Sequence, residues 1–401
     1  MKIIYVSNFM NHHQLPFSLC LLNQLDVEYT FIALESIPQE RIDMGYEDMN
    51  HQYPFVLCAY DSEDKMRQAE KKIDDADVAI YGSCPDELIM RRTKDKKLCF
   101  KFSERYFKEG TGLLRLPHNL ASAWKHLKPF EKSPLFFCCS SAYTAADLNR
   151  YTQFEGKTFK WGYFPEMKQY AIDALMKEKL SAASTDWKQP QVSILWAGRL
   201  IGWKHPEAAV QLAASLKEKG YSFRMSMIGN GEMETQLRGM ILEKGLEDCV
   251  EMLGAMPPEK VRRHMEKADI YLFTSDFNEG WGAVLNESMN SGCAVVASHA
   301  IGSVPFLIKN GENGLTYENG KQQQLEKQVC KLLDNADYRK SIGKKAYDTI
   351  TKMWNAQLAS SRFVTLAQKL LQGENVQALF KDGPCSAAGI LKNGWYHIDE
   401  P

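Results

Sequence analysis

Short apolar runs rich in β-branched and aromatic residues alternate with longer stretches of helical periodicity from the first residue onward. That alternation predicts an α/β protein whose parallel sheets are covered on both faces by helices. In the first half the predicted strands are Lys2 to Ser7, Tyr29 to Leu34, Phe55 to Ala59, Val78 to Gly82, Leu98 to Ser103 and Leu135 to Cys139, with polar helical stretches such as Asp61 to Asp75 between several of them. They predict one doubly wound domain over residues 1–165. Residues 166–190 become charged and end in Ser184-Thr185-Asp186-Trp187-Lys188-Gln189-Pro190, the composition of a linker. The alternation restarts with strand Val192 to Trp196, helix His205 to Lys219, strand Phe223 to Ile228 and a helix opening near Glu232. Val250 to Leu253, Ile270 to Phe273 and Ala294 to Ala297 continue a second domain over 191–350. Residues 351–401 add one amphipathic helix, Met353 to Leu371, expected to pack back toward the first domain, and then a tail without a clear pattern. Open α/β sheets bind ligands beyond the carboxyl ends of their strands, so the expected site is a cleft between two such domains.

Composition narrows the classes. The 401 residues are 44% hydrophobic and 25% charged, an ordinary globular balance, and no apolar run approaches the roughly 18 residues of a membrane span. Net charge is -1, which excludes a global attraction to nucleic acid. Ten cysteines never form a C-x-x-C pair and sit mostly in apolar segments such as Leu135 to Cys139, so they predict free core thiols and no zinc site. The opening Met1-Lys2-Ile3-Ile4-Tyr5-Val6 is too short an apolar stretch for a secretory signal, and the expected location is the cytoplasm.

Three clusters carry candidate chemistry, each at a strand-to-helix turn. In Asn278-Glu279-Gly280-Trp281-Gly282-Ala283-Val284-Leu285-Asn286-Glu287 the glycines allow close backbone approach to a ligand. A helix opening near Ala283 presents unpaired N–H groups suited to phosphate, and Gly292 caps that helix. Glu279 and Glu287 then face one bound molecule from different heights, although two surface glutamates would give the same spacing. In Gly198-Arg199-Leu200-Ile201-Gly202-Trp203-Lys204-His205-Pro206 two cations five apart can converge on one anion. The third cluster, Met227-Ile228-Gly229-Asn230-Gly231-Glu232-Met233-Glu234, begins like a dinucleotide fingerprint but has Glu234 where the third glycine belongs, which excludes the dehydrogenase reading.

With these clusters in order, the chain resembles the family-4 retaining glycosyltransferases of the GT-B fold, in which two Rossmann-like domains face each other across a cleft. The resemblance is strong from Val192 to Thr316 and also rests on Leu253-Gly254, Ala268-Asp269-Ile270 and Gly311-Glu312-Asn313-Gly314-Leu315. It implies a nucleotide-diphosphate sugar donor, a UDP-sugar, and a glycan or lipid-linked acceptor in building a surface polysaccharide. It further implies that Arg199 and Lys204 hold the diphosphate, Glu279 the sugar hydroxyls and Glu287 the ribose, with the turns at Gly198, Gly229, Asn230 and Gly254 and the stretch Gly280, Trp281, Gly282 and Ala283 completing the donor site. Preorganised cations and a helix N-terminus would stabilise the departing diphosphate with no metal and no cofactor. A metal-bound design would need an aspartate pair; Asp75 and Asp77 have that spacing at a helix end. A nucleotide-sugar epimerase and a non-catalytic scaffold of the same fold are the alternatives.

The first half resembles the family in architecture alone. Its first strand-to-helix loop brings Asn11, His12 and His13 to the carboxyl edge of the sheet, and Glu104 and Arg105 follow the strand Leu98 to Ser103. These, with His118, are acceptor-side candidates, for which loop histidines and a structural ion pair are the plain alternatives. Residues 91–132 carry a local net charge of +8, with Leu114, Leu116, Trp124 and Leu127 among the cations. That mixture suits peripheral contact with an anionic membrane, and a solvated face or an acidic-acceptor groove suits it equally.

Overall fold

The computed structural model describes residues 1–39, 42, 47–108, 110, 112–182 and 191–396. Residues 183–190 of the expected linker, Glu109 of the basic segment and the last five residues of the tail lie outside them. The chain forms two compact units, Met1–Glu166 with Trp354–Lys392, and Met167–Met353 with the residues from Asn393 onward.

In the first unit the strands are β1 (Lys2–Ser7), β2 (Glu28–Ala33), β3 (Val56–Cys58), β4 (Val78–Tyr81), β5 (Leu98–Ser103), β6 (Leu135–Cys139) and β7 (Thr158–Lys160). They form one parallel sheet in the order β3-β2-β1-β4-β5-β6-β7. A parallel sheet is buried on both faces, so its central strands must be almost continuously apolar. Ile3, Ile4, Tyr5 and Val6 of β1 and all four residues of β4 are buried accordingly. The helices are α1 (Leu15–Leu22), α2 (Glu63–Asp75), α3 (Asp86–Lys94), α4 (Leu116–His126) and α5 (Thr144–Tyr151). At the start of α2 the side chain of Ser62 accepts from the N–H of Lys65, and Glu63 and Asp64 oppose the helix dipole. Asp77, one half of the metal-binding alternative, accepts the N–H of Lys2 at 2.7 Å and so pins the start of β1.

The second unit begins earlier than expected. Helix α6 (Ile172–Ala182) belongs to it and is no linker. Lys179 is buried, and its ammonium donates to the carbonyls of Met265, at 2.9 Å, and Ala268. Its charge looks like linker composition in sequence but serves as a cap on the last carbonyls of a helix. The unit then runs β8 (Val192–Ala197), α7 (Pro206–Glu218), β9 (Phe223–Ile228), α8 (Glu234–Glu243), β10 (Val250–Gly254), α9 (Pro258–Lys267), β11 (Ile270–Phe273), α10 (Val284–Asn290), β12 (Ala294–Ser298), α11 (Val304–Leu307), β13 (Leu315–Tyr317), α12 (Gln322–Asp334) and α13 (Ala336–Lys352). Its strands form a parallel sheet in the order β10-β9-β8-β11-β12-β13. The strand order reverses between β8 and β11, and a ligand crevice is expected beyond their carboxyl ends.

The chain then rejoins the first unit as α14 (Ala356–Leu371), which packs on α1. Phe363 is fully buried, with Phe17, Phe100, Phe102 and Trp161 at ring separations of 5.9, 4.8, 6.0 and 5.9 Å. Part of the tail is ordered as well: the N–H of Lys160 donates to Ser386 at 2.7 Å and that of Ala388 to Thr158 at 2.9 Å, extending the β7 edge. Two three-residue strands, β7 and β13, escape the sequence pattern, whereas the equally short β3 falls within the expected Phe55 to Ala59 run. No helix among the described residues is long and apolar enough to cross a membrane.

Truncating an aromatic ring held from four sides leaves a cavity, so Phe363→Ala is expected to cost about 3–5 kcal/mol. Urea unfolding of the intact chain measures it, and a loss below about 1 kcal/mol would mean that α14 does not complete the first core.

Candidate functional site

Two loops at the reversal point build the site. One follows β8 and contains Gly198, Arg199 and Lys204; the other follows β11 and contains Thr274, Ser275 and Glu279. They meet at Thr274, whose hydroxyl donates to the carbonyl of Lys204 at 2.6 Å and accepts the indole N–H of Trp196 at 2.9 Å. The N–H of Asp276 donates to the carbonyl of Trp203 at 3.0 Å.

With the loops tied, the Lys204 ammonium sits 2.5 Å from Oε2 of Glu279, and the Ser275 hydroxyl donates to the same oxygen at 3.0 Å. Both side chains of this ion pair are largely buried, at 13% and 11% exposure. The ammonium also lies 4.7 Å from the centre of the Trp203 ring, and the guanidinium of Arg199 lies 5.9 Å from it. One indole therefore borders both cations, while Arg199 itself is exposed. Two cations, Arg199 and Lys204, thus meet beside one indole, and Lys204 is paired with Glu279.

The glycines exist for close approach. A Cβ on Gly229, at φ +137°, would lie 1.8 Å from the carbonyl oxygen of Gly198. One on Gly282, at φ +77°, would lie 2.3 Å from the Phe273 ring. The N–H of Gly229 donates to Gly254 at 2.9 Å, and that of Leu200 donates to Asn230 at 2.8 Å. The turns at Gly198, Gly229, Asn230 and Gly254 are thus laced side by side beyond β8, β9 and β10. Gly280 is buried between Glu279 and Trp281, and Ala283 caps α10.

Glu287 lies in the first turn of α10. Burial raises its carboxyl above the ordinary value, while the charges of Arg262 and Lys168 oppose that rise. Both glutamates act on one group, the buried Tyr271 hydroxyl. It donates to Ala197 at 3.1 Å, and burial first, then Glu287 and Glu279, keep it protonated.

Several expectations need correction. Trp281 is fully buried and its indole donates to Asn286 at 2.9 Å, so it is a core residue under the loop and does not wall a ligand. Arg105 is buried in a two-bond pair with Asp147, at 3.2 and 3.1 Å, and Asp147 also accepts the N–H groups of Tyr106 and Phe107. That geometry serves the structure and leaves Arg105 no face for an acceptor. Asn11 is committed to the turn before α1, accepting from the N–H groups of His13 and Gln14. In the +8 segment Arg92 is buried and donates to the carbonyls of Ile73, Ala76, Asp77 and Leu98, while Arg91 pairs with Asp74 and Glu70. The charge presented outward is correspondingly smaller than the sequence count.

Other acceptor-side candidates do come together. The His12 and His13 rings lie 3.7 Å apart, and His13 stacks on Tyr163 at 5.6 Å. The Tyr163 hydroxyl reaches Glu104 at 2.5 Å, and Glu104 pairs with Lys108. His118 is exposed on α4, and no hydrogen bond or ring contact joins it to this row. Residue type alone does not single out Thr274, Ser275 and Asp276; their signal in sequence is their position just after an apolar strand.

Two parallel sheets flanked by helices define an α/β protein of the GT-B fold class. The family described as "Glycosyl transferases group 1" matches residues 178–349. The amylovoran biosynthesis glycosyltransferase AmsK of Erwinia amylovora is 32% identical over 160 residues, 39% of this chain and 39% of its own length. The putative colanic acid biosynthesis glycosyltransferase WcaL of Escherichia coli is 29% identical over 185 residues, 45% of each. The matches thus span less than half of these curated relatives. Over 93% of this chain the fold is similar to Anabaena Alr3699/HepE, solved in complex with UDP, at TM-score 0.63, 15% identity and 99% of that chain. It is also similar to sucrose-phosphate synthase from Thermosynechococcus elongatus, at TM-score 0.60, 14% identity, and 93% and 100% of the two chains.

Because a methyl group at residue 229 would overlap a carbonyl oxygen, Gly229→Ala is expected to cost on the order of 3 kcal/mol and displace the Gly198 turn. Urea unfolding gives the magnitude; a neutral substitution would show that the two turns do not meet.

Proposed function

We propose that the chain is a retaining glycosyltransferase that moves a hexosyl group from a nucleotide-diphosphate sugar, a UDP-sugar, to a glycan or lipid-linked acceptor in polysaccharide biosynthesis. The observation that carries this reading is the Lys204–Glu279 pair at the reversal point of the second sheet, with Arg199 beside it. An ammonium has three N–H donors, and the carboxylate uses one, so Lys204 can hold Glu279 and a diphosphate oxygen together. Arg199 adds a planar fork for a second phosphate oxygen. Glu279, fixed by Lys204 and Ser275, accepts from sugar hydroxyls, and Glu287 accepts from the ribose. The nucleobase lies by the Gly229 and Gly254 turns.

As the bond to the anomeric carbon breaks, negative charge grows on the diphosphate, and cations already in place favour that state without reorganising. The reaction then needs no metal. The relatives named for polysaccharide biosynthesis and the UDP complex of the Anabaena protein support the substrate class. His12, His13 and Glu104 are the acceptor-side residues in this reading, with the protein acting in the cytoplasm at the inner face of a membrane. No observation favours the epimerase or the scaffold alternative.

Turnover of a UDP-sugar should survive EDTA, and Lys204→Ala should lower kcat on the order of 10²-fold. In calorimetry Glu287→Ala should weaken free UDP, whereas Glu279→Ala should spare UDP and lose the preference for the intact donor. Restoration of an EDTA-treated enzyme by Mg²⁺, or equal effects of the two glutamates on UDP, would overturn the assignment.

The membrane contact rests on Leu113, Leu114 and Trp124, which are 87%, 98% and 67% exposed around the start and face of α4, with Lys125 exposed next to Trp124. Apolar tips beside cations suit the boundary of an anionic bilayer. Sedimentation with vesicles containing phosphatidylserine should retain the protein at low salt, and joint substitution of Leu113, Leu114 and Trp124 by Ser should release it. Equal sedimentation of both proteins would refute the contact.

A further inference from the structure

His205 occupies a backbone conformation that side chains avoid. It joins the short turn Gly202–Lys204 to α7 with φ +49° and ψ +51°, the left-handed region, where a residue other than glycine is disfavoured by roughly 1–2 kcal/mol. A strained position kept by a charged ring calls for a compensating contact, and two are present. Nδ1 lies 2.8 Å from Oε1 of Glu207 in the first turn of α7, and Nε2 lies 3.5 Å from Oδ2 of Asp276 in the loop after β11.

Asp276 is itself fixed. Its other carboxylate oxygen accepts from the backbone and side-chain N–H groups of Asn278 at 2.8 and 2.9 Å, and its carbonyl accepts the N–H of Glu279 at 3.1 Å. The imidazole therefore ties the residue directly after Lys204 to the turn that delivers Glu279. We propose that His205 is a positioning residue: as an imidazolium it clamps the Lys204 loop to the Asp276–Glu279 turn and so sets the geometry of the pair that holds the donor. This inference rests on the donor reading given above.

Charge on the ring is favoured by its surroundings. Hydrogen bonds to Asp276 and then Glu207 outweigh burial and raise its pKa from 6.5 to about 9. Burial works against ionised Asp276, yet the bonds from His205 and Asn278 hold its carboxyl below the ordinary value. Other titratable groups nearby among the described residues include Lys204 itself and, across a cavity of about 190 Å³ that His205 and Glu207 share with β13 and the turn after it, Tyr317 and Lys321. A raised histidine pKa means that the clamp is complete below pH 6.5 and is lost as pH rises through about 9.

Two measurements on the full chain test this, with His205→Asn as the variant because Asn tolerates left-handed backbone. In proton NMR the imidazole signal absent from the variant identifies His205 and should titrate near pH 9; titration near the ordinary value of about 6.5 overturns the clamp whatever the substrate. In donor turnover the variant should lose about tenfold in kcat with donor KM within about twofold, and the basic limb near pH 9 expected of the wild type should be absent from it. An unchanged kcat, or a limb that survives the substitution, also overturns it. A wild-type protein that turns over no nucleotide sugar would overturn the donor reading instead, and the titration would still report on the ion pair.

Discussion

The ion pair between Lys204 and Glu279 is the constraint around which the second unit is arranged. The two residues come from loops on adjacent central strands, and among the described residues neither forms a second ion pair. An ion pair this far from water gains from its attraction only if geometry and supporting hydrogen bonds are good, because desolvation opposes it. The supports are specific: Ser275 on the carboxylate, Thr274 on the carbonyl of Lys204, and the Trp203 ring beside the ammonium. Glycine is needed at residue 282 so that the turn carrying Glu279 can lie on Phe273. What look in sequence like separate motifs are therefore parts of one bonded framework.

How much of this the sequence discloses depends on whether a feature is local. Central strands such as β1, β4, β8 and β11 are legible because burial on both faces demands an apolar run. Arg199, Lys204, Glu279 and the glycine turns are legible because each lies where a strand ends and a helix begins. Partnership over long separations is not legible. Arg92 and Arg105 count as surface cations in a charge tally, yet one gathers four carbonyls and the other holds Asp147. Trp281 misleads for a similar reason. Flanked by two glycines it resembles a ligand wall, but those glycines free the backbone to turn the indole inward toward Asn286.

The two units differ in how they use polar groups. In the second, Lys179 is buried to cap a helix, while Lys204 and Glu279 pair at the carboxyl edge of the sheet. In the first, buried charge mainly joins elements, as Arg92 does for α2, α3 and β5 and Arg105 for the segment around Asp147. The exception is the row His12, His13, Tyr163 and Glu104, where ring contacts lead to a short hydrogen bond and a lysine pair at the carboxyl edge of the first sheet.

The first unit is also discontinuous in sequence, since the helix that carries Phe363 is supplied after the whole of Met167–Met353. During synthesis, at about 5–20 residues per second, the ribosome takes roughly ten to forty seconds to pass from the end of the first segment to that helix. Throughout that interval Phe17, Phe100, Phe102 and Trp161 lack the ring that covers them. The second unit, nearly contiguous, has its sheet complete before the first has its last helix. The core of the first unit can therefore close only after the sheet of the second has been made, and its early aromatic face stays without its covering ring until then.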